Sequence, residues 1–443
     1  MHRDLTHGNI TKSLLWFAFP IMIGNLLQQF YNVVDTWIVG QFLGKNALAA
    51  VGSSYSLMTF LTSILLGLCM GSGVAFSIYY GKKDRMRLKN SIFLAFCMIG
   101  GTALLITVIV FIGIDPILCF LQVPSDIYAM MREYLWVIFG GILATFLYNF
   151  CSCLLRAAGN SVAPLVFLGI SAVLNIGLDL LFVVVFGRGV RGAAEATVIS
   201  QYVSGIGLLT YTLFSFREFC PRREDMCWRK EILKEIIHLS SMTCIQQSVM
   251  NFGILMVQGL VNSFGSVVMA AFSVAVKIDS FAYMPVQDFG NAFSTFVAQN
   301  YGAGKKERIK SGIRSAVRTS FLFSVAVSAL VVLFAKPLLL IFIKPQETEI
   351  LNVGIRYLRI EGSFYCLIGF LFLLYGYFRA VKRPGISLVL TVVSLGTRVV
   401  LAYLLSAEPM IGVDGIWAAV PIGWLLADVT GYLYYRSEKK KTL

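Results

Sequence analysis

Apolar stretches of membrane-crossing length alternate along this chain with short polar loops, and the alternation predicts transmembrane helices from end to end. The spans read as 13–41, 48–80, 91–114, 130–155, 163–187, 193–216, 236–263, 267–300, 315–343, 357–380, 385–406 and 413–435. No Asp, Glu, Lys or Arg occurs from Ala47 to Gly81, from Asn90 to Ile114 or from Tyr134 to Leu155. A bilayer core takes about 20 apolar residues of helix, so each of these runs can cross it. A soluble core of this size would need polar faces on its outer helices, and these runs have none. The expected fold is all-α, a polytopic membrane protein of about 12 transmembrane helices. Several spans exceed the required length, which predicts tilt or bends. Pro20, Pro285 and Pro337 lie inside spans as candidate kinks.

The pattern repeats. Arg156-Ala157 and Arg379-Ala380 stand 223 residues apart, as do Gly192 and Gly415. LLQQ at 26–29 resembles CIQQ at 244–247, and Tyr80-Gly81 before a basic loop resembles Tyr301-Gly302 before another. Six spans in each half give both halves the same orientation, so this is a parallel internal repeat of two six-helix lobes. The expected division is an N-lobe at 1–216, a basic linker at 217–235 and a C-lobe at 236–443.

Charge fixes the expected orientation. The chain is 57% hydrophobic and only 14% charged, against roughly 25% charged in a soluble domain. Its net charge of +14 does not form a nucleic-acid-binding face. The bases lie in short loops instead: GKKDRMRLKN after the second span, the linker after the sixth, GAGKKERIKSGIR after the eighth, RAVKRPG after the tenth, and the terminal RSEKKKTL. The intervening loops are poor in base, so both termini and the linker are expected in the cytoplasm. The N-terminus, MHRDLTHGNITKSLLWFAFP, does not read as a cleaved signal peptide. Three dispersed His and nine scattered Cys show no metal-ligand or catalytic spacing, and no Walker motif is present. The expected protein is therefore not an enzyme and has no cofactor. Its expected partner is the lipid bilayer, and the chain reads as a monomer.

A charge inside a span is costly and marks function. Asn25, Gln28, Asn32 and Asp35 recur at helical spacing in the first span, one polar stripe ending in a carboxylate. Asn175 and Asp179 share a face of the fifth span. The sixth adds Thr197, Ser200, Gln201 and Ser204, just past Glu195. Two carboxylates with amide and hydroxyl neighbours can hold a proton or a small monovalent cation. The plainer alternatives are a hydrogen-bonded helix seam for the amides and a distant Lys or Arg partner for Asp179. In the eighth span Lys277 and Asp288 are about three turns apart and are expected to share a face. With Asp279 they read as an internal charge network including Arg398, with Asp428 as a further partner. The alternative makes Asp279 or Asp288 a second titrating acid.

The string LLQQFYNVVDTWIVGQFLGKNALAAVG from Leu26 resembles the opening signature of the multidrug and toxic compound extrusion (MATE) transporters. RAAGN at 156–160, NIGLD at 175–179, GAAEATVISQ at 192–201 and AFSTFVAQNYGAGKKER at 292–308 extend the resemblance over both halves. It is nearest the DinF/MepA-like bacterial branch. The resemblance implies a helix-kink at Pro20 and an N-lobe cation- or proton-coupling site at Asp35, Asn175, Asp179 and Thr197. Gln28, Asn32, Gln201, Lys277, Asp279, Asp288 and Arg398 remain candidates for lining a polar cavity. The implied activity is secondary active multidrug efflux by H⁺ or Na⁺ antiport across the bacterial inner membrane. Amphipathic, often cationic small molecules would leave by alternating access of the two lobes. Another branch carries a C-lobe cation site on acids of the seventh and tenth spans, and that carry-over fails here because neither the seventh span nor the body of the tenth contains one. The repeat offset maps Asn175 onto Arg398 and Thr197 onto Val420. A lipid-linked saccharide flippase of related fold is the alternative reading. It would want a cationic cavity, which Asp35 and Asp179 oppose.

Overall fold

The computed structural model describes residues 4–120 and 123–442, which leaves His2 and Leu443 outside the described residues. The first half contains α1 (Ile10–Leu43), α2 (Lys45–Gly81), α3 (Arg85–Ile112), α4 (Ile114–Phe120), α5 (Ser125–Ile138), α6 (Ile142–Ala157), α7 (Val162–Asp179) and α8 (Gly189–Ser215). The second contains α9 (Lys230–Asn262), α10 (Ser266–Gly302), α11 (Lys306–Leu333), α12 (Ala335–Leu340), α13 (Thr348–Gly362), α14 (Tyr365–Ala380), α15 (Pro384–Ser406) and α16 (Val413–Thr442). Among the described residues 10 helical segments are long and apolar enough to cross a membrane, and the pair α13 and α14, bent by 50°, makes an eleventh. The 27-residue α8 is long enough by geometry, but Gln201 and its run of Ser and Thr leave it outside that set. Large apolar side chains such as Ile112, Phe214 and Leu333 are more than 70% exposed, as lipid-facing residues are.

The repeat is written in the backbone. Helices α2 and α10 are both 37 residues long, and α3 and α11 are both 28. Left-handed residues recur in register: Gly44 (φ 85°) with Gly265 (93°), Lys83 (59°) with Gly304 (70°), Gly159 (84°) with Lys382 (63°), and Gly189 (63°) with Gly412 (54°). Each stands where a helix stops or starts, and glycine tolerates that conformation without a Cβ clash. Breaks in the spans follow the same logic. A 3₁₀ turn at Phe139–Gly141 separates α5 from α6, and the other half bends after Gly362. Pro20 and Pro285 lie within continuous helices. Pro337 corrects the sequence expectation: α11 ends at Leu333, and Pro337 sits in the separate short α12.

Packing divides the chain into two compact units, and the divisions fall inside helices. One unit is built from Ile23–Cys244, the other from Leu5–Met22 together with Ile245 onward. The first half of α1 thus belongs with the second unit, and the first half of α9 with the first. Within the first unit the start of α9 lies against α2 at backbone distance. A Cβ at Gly71 would stand 2.5 Å from the Leu239 carbonyl oxygen, and one at Gly67 2.6 Å from Cys244 Cα. Ser72 and Ser240 share a hydroxyl hydrogen bond of 2.8 Å in the same seam. Small residues allow this approach where no water is available to drive association. Gly71→Val is expected to destabilise by about 1–3 kcal/mol through overpacking. Gly101 has no atom within 4 Å of its Cβ position, so Gly101→Ala should leave the melting temperature of the purified protein unchanged or raise it. Equal losses for both substitutions would count against the close seam.

Candidate functional site

Four helices of the first unit meet around two carboxylates. Asp35 comes from the second half of α1, Asn175 and Asp179 from the end of α7, Thr197 from the start of α8, and Tyr134 from α5. The sequence builds this locally. Asp179 is the last residue of α7, and a π-helical turn follows at Leu180–Val185 before the Gly187–Gly189 turn reverses the chain. Such widened turns are concentrated at functional sites. Helix α8 is stitched to its neighbours by Ser171 Oγ donating to the Ser200 carbonyl (2.9 Å) and by Tyr202 OH donating to the Gly140 carbonyl (2.8 Å). Gly141 gives room for Gln201, whose amide oxygen a Cβ there would strike.

Asp179 is fully buried and Asn175 is 2% exposed, whereas Asp35 is half-buried. The carboxyl groups of Asp35 and Asp179 adjoin each other, and both act electrostatically on the buried Tyr134 hydroxyl. Asn175 Nδ2 donates to Thr197 Oγ1 at 3.4 Å. Asp35 Oδ1, Asn175 Oδ1 and both oxygens of Asp179 are buried with no hydrogen-bond partner. Among the described residues no Lys, Arg or His forms an ion pair with either acid. The distant basic partner for Asp179 is therefore not found. Buried, uncompensated oxygens of this kind call for a proton or a cation. The donor set is all oxygen and only two of its members are acids, which suits H⁺ or Na⁺. Among the described residues no group of three His, Cys, Asp or Glu that could hold a metal ion occurs.

Other expected residues fall elsewhere. Gln28 lies exposed on α1 about two turns before Asp35. Asn32 is half-buried on the same helix, and Glu195 is taken up by Arg188 (2.6 Å) and Arg191 (2.9 Å). Lys277 is exposed whereas Asp288 is buried, so the face they were expected to share is not uniformly buried.

The second unit holds a different cluster. Tyr365 OH donates to Asp279 Oδ1 at 2.6 Å, and Tyr357 OH donates to Glu361 Oε2 at 2.9 Å. The charges of Asp279, Glu361 and Arg398 act on one another, although no ion pair within 4.0 Å joins them. Glu361 Oε1, Arg398 Nε and Trp417 Nε1 are buried without partners. Trp417 stacks on Phe272 and meets Tyr357 edge-on, at 5.4 and 4.9 Å between ring centroids. Arg398 thus acts electrostatically on both Asp279 and Glu361. Asp428 instead lies near Tyr375 and Cys366. Sequence reasoning missed Glu361, Tyr357, Tyr365 and Tyr134; the Tyr-x-x-x-Glu spacing at 357–361 was the available signal.

Residues 20–181 and 240–404 match the MatE family. The chain belongs to the MatE family of multidrug and toxic compound extrusion transporters. A probable multidrug resistance protein of Bacillus subtilis, YpnP, is 30% identical, covering 99% of this chain and 98% of its own length. The multidrug export protein MepA of Staphylococcus aureus is 25% identical over 82% of this chain and 80% of its own. A solved outward-facing structure of a multidrug resistance MATE family transporter of the MOP superfamily aligns with a TM-score of 0.92 at 25% identity, covering 98% and 97% of the two chains. This MATE family member is a membrane transport protein and not an enzyme.

Proposed function

We propose that this MATE transporter exports amphipathic, often cationic small molecules, driven by re-entry of H⁺ or Na⁺ through the Asp35–Asp179 site. The observation that carries this reading is the pair of adjoining carboxylates whose buried oxygens make no ion pair among the described residues. A proton or Na⁺ would satisfy them, with Asn175 and Thr197 completing an oxygen shell. A cationic substrate and the ion then compete for the same negative charge, which is the differential binding that antiport requires. Ion binding also relieves the repulsion between Asp35 and Asp179, leaving α1 free to bend near Pro20. The basic loops favour an orientation with both termini and the linker in the cytoplasm of a bacterial cell membrane. A lipid-linked saccharide flippase is less well supported, because the charge of Arg398 is met by Asp279 and Glu361 within its own unit.

The test is efflux of a cationic dye from proteoliposomes under separately imposed pH and Na⁺ gradients. Uphill dye movement is expected with one of these gradients and not with neither. Dye movement indifferent to both would remove the antiport reading.

A further inference from the structure

The segment between α8 and α9 is fixed against α3, and its fixation leaves an aromatic tip among uncompensated bases. Asn90 is fully buried, and its amide donates to the backbone carbonyls of Asp225 (2.8 Å) and Cys227 (2.7 Å). Phe219 packs on Tyr80 at 5.7 Å, and the Trp228 ring meets Phe93 of α3 edge-on at 6.2 Å. Two linker acids are engaged by α3: Glu218 by Arg85 at 3.2 Å and Asp225 by Lys89 at 3.8 Å. Yet Trp228 remains 65% exposed and Met226 48% exposed. Arg222, Arg223 and Lys230, which flank them in sequence, are exposed and, among the described residues, form no ion pair.

The corner stands where apolar surface ends, for Phe214 in the last turn of α8 is 76% exposed. Large apolar side chains held out of the protein core belong in a headgroup layer, where Trp is enriched and bases meet anionic lipid. The matching turn of the other repeat differs. There Lys305 Nζ donates to the Thr6 carbonyl (2.8 Å), and Arg308 donates to the carbonyls of Leu5, His7 (2.7 Å) and Gly8 (2.8 Å). Those bases are occupied by backbone. The bases of the linker corner are not.

We propose that the linker corner binds the headgroup of an anionic phospholipid, with Trp228 and Met226 seated in the headgroup layer and Arg222, Arg223 and Lys230 matched to the lipid phosphate. The site lies apart from Asp35 and Asp179 in sequence and in chemistry, and it stands whether or not the efflux reading does. Full-length protein is reconstituted in phosphatidylcholine vesicles containing increasing brominated phosphatidylglycerol. The Trp228 signal is the difference in quenching between wild type and Trp228→Phe. Half-maximal quenching is expected at a lower mole fraction of brominated phosphatidylglycerol than of brominated phosphatidylcholine, with the difference shrinking in high salt. Arg222→Ala and Arg223→Ala should each raise that mole fraction about fivefold, the equivalent of about 1 kcal/mol per base. Asn90→Ala, which leaves every charge in place, should weaken quenching by releasing the tip. Equal quenching by the two lipids overturns the proposal, as does indifference to the arginines. Displacement of the lipid by millimolar inorganic phosphate would overturn it in favour of a soluble anion.

Discussion

The double variant Asp35→Asn, Asp179→Asn is expected to stay folded and inserted while losing gradient-driven efflux. Both carboxylates lie in one unit, adjoin each other and, among the described residues, form no ion pair with a base. Replacing them by amides removes no ion pair and relieves repulsion, so thermal stability should hold or rise. Function should fall, because a permanently neutral pair resembles the ion-bound state and cannot exchange an ion for a substrate. Coupling free energies of about 1–3 kcal/mol correspond to roughly 5–150-fold changes in affinity, and the variant should lose that whole factor. Asp35→Asn and Asp179→Asn alone should each impair coupling, while Asn175→Ala weakens it less. The measurement is drug efflux from vesicles at matched protein content, with ion flux followed in parallel. Wild-type ion-coupled efflux by the double variant would transfer the search to Asp279 and Glu361.

Arg398→Met is expected to be among the most destabilising single substitutions in the second unit. Arg398 faces Asp279 and Glu361, themselves 7% and 2% exposed. Removing one side of a buried charge set typically costs about 3–5 kcal/mol, since the other side is left uncompensated. Glu361→Gln combined with Arg398→Met should restore a large part of that loss, giving a coupling energy of about 0.5–3 kcal/mol in a double-mutant cycle. Asp428→Asn with Arg398→Met is the contrast, because Asp428 lies by Tyr375 and Cys366. That pairing should be additive. Protein yield and melting temperature in detergent read both cycles. Additive losses for Glu361 and Asp279 alike would show that neither compensates Arg398.

The parts legible in the sequence were those where chemistry contradicts its surroundings. Asp35 and Asp179 interrupt long apolar runs, so they stood out, and the repeat reappears in the paired left-handed residues from Gly44 and Gly265 to Gly189 and Gly412. Glu361 was hidden because Arg356 and Arg359 precede it, and a mixed-charge stretch reads as the edge of a loop. Tyr357 and Tyr365 look like ordinary lipid-interface aromatics until α13 and α14 bend around Asp279. The π turn after Asp179 leaves no mark in LLFVVV, whose residues suit an ordinary span equally well. Nor does a helical period show which unit the first half of α1 or α9 will join, since partner choice depends on contacts far along the chain.

The grip on Leu5–Gly8 sets an order of assembly during synthesis. Leu5 N–H donates to Gln299 Oε1 across 294 residues of sequence, so its anchor leaves the ribosome roughly 15–60 s later at about 5–20 residues per second. The linker's anchor on Asn90 was made long before Asp225 emerges, across 135 residues. The first compact unit can therefore close as its last helix half arrives. The second waits with its first piece already in the bilayer, and the beginning of the chain is among the last parts to find its place.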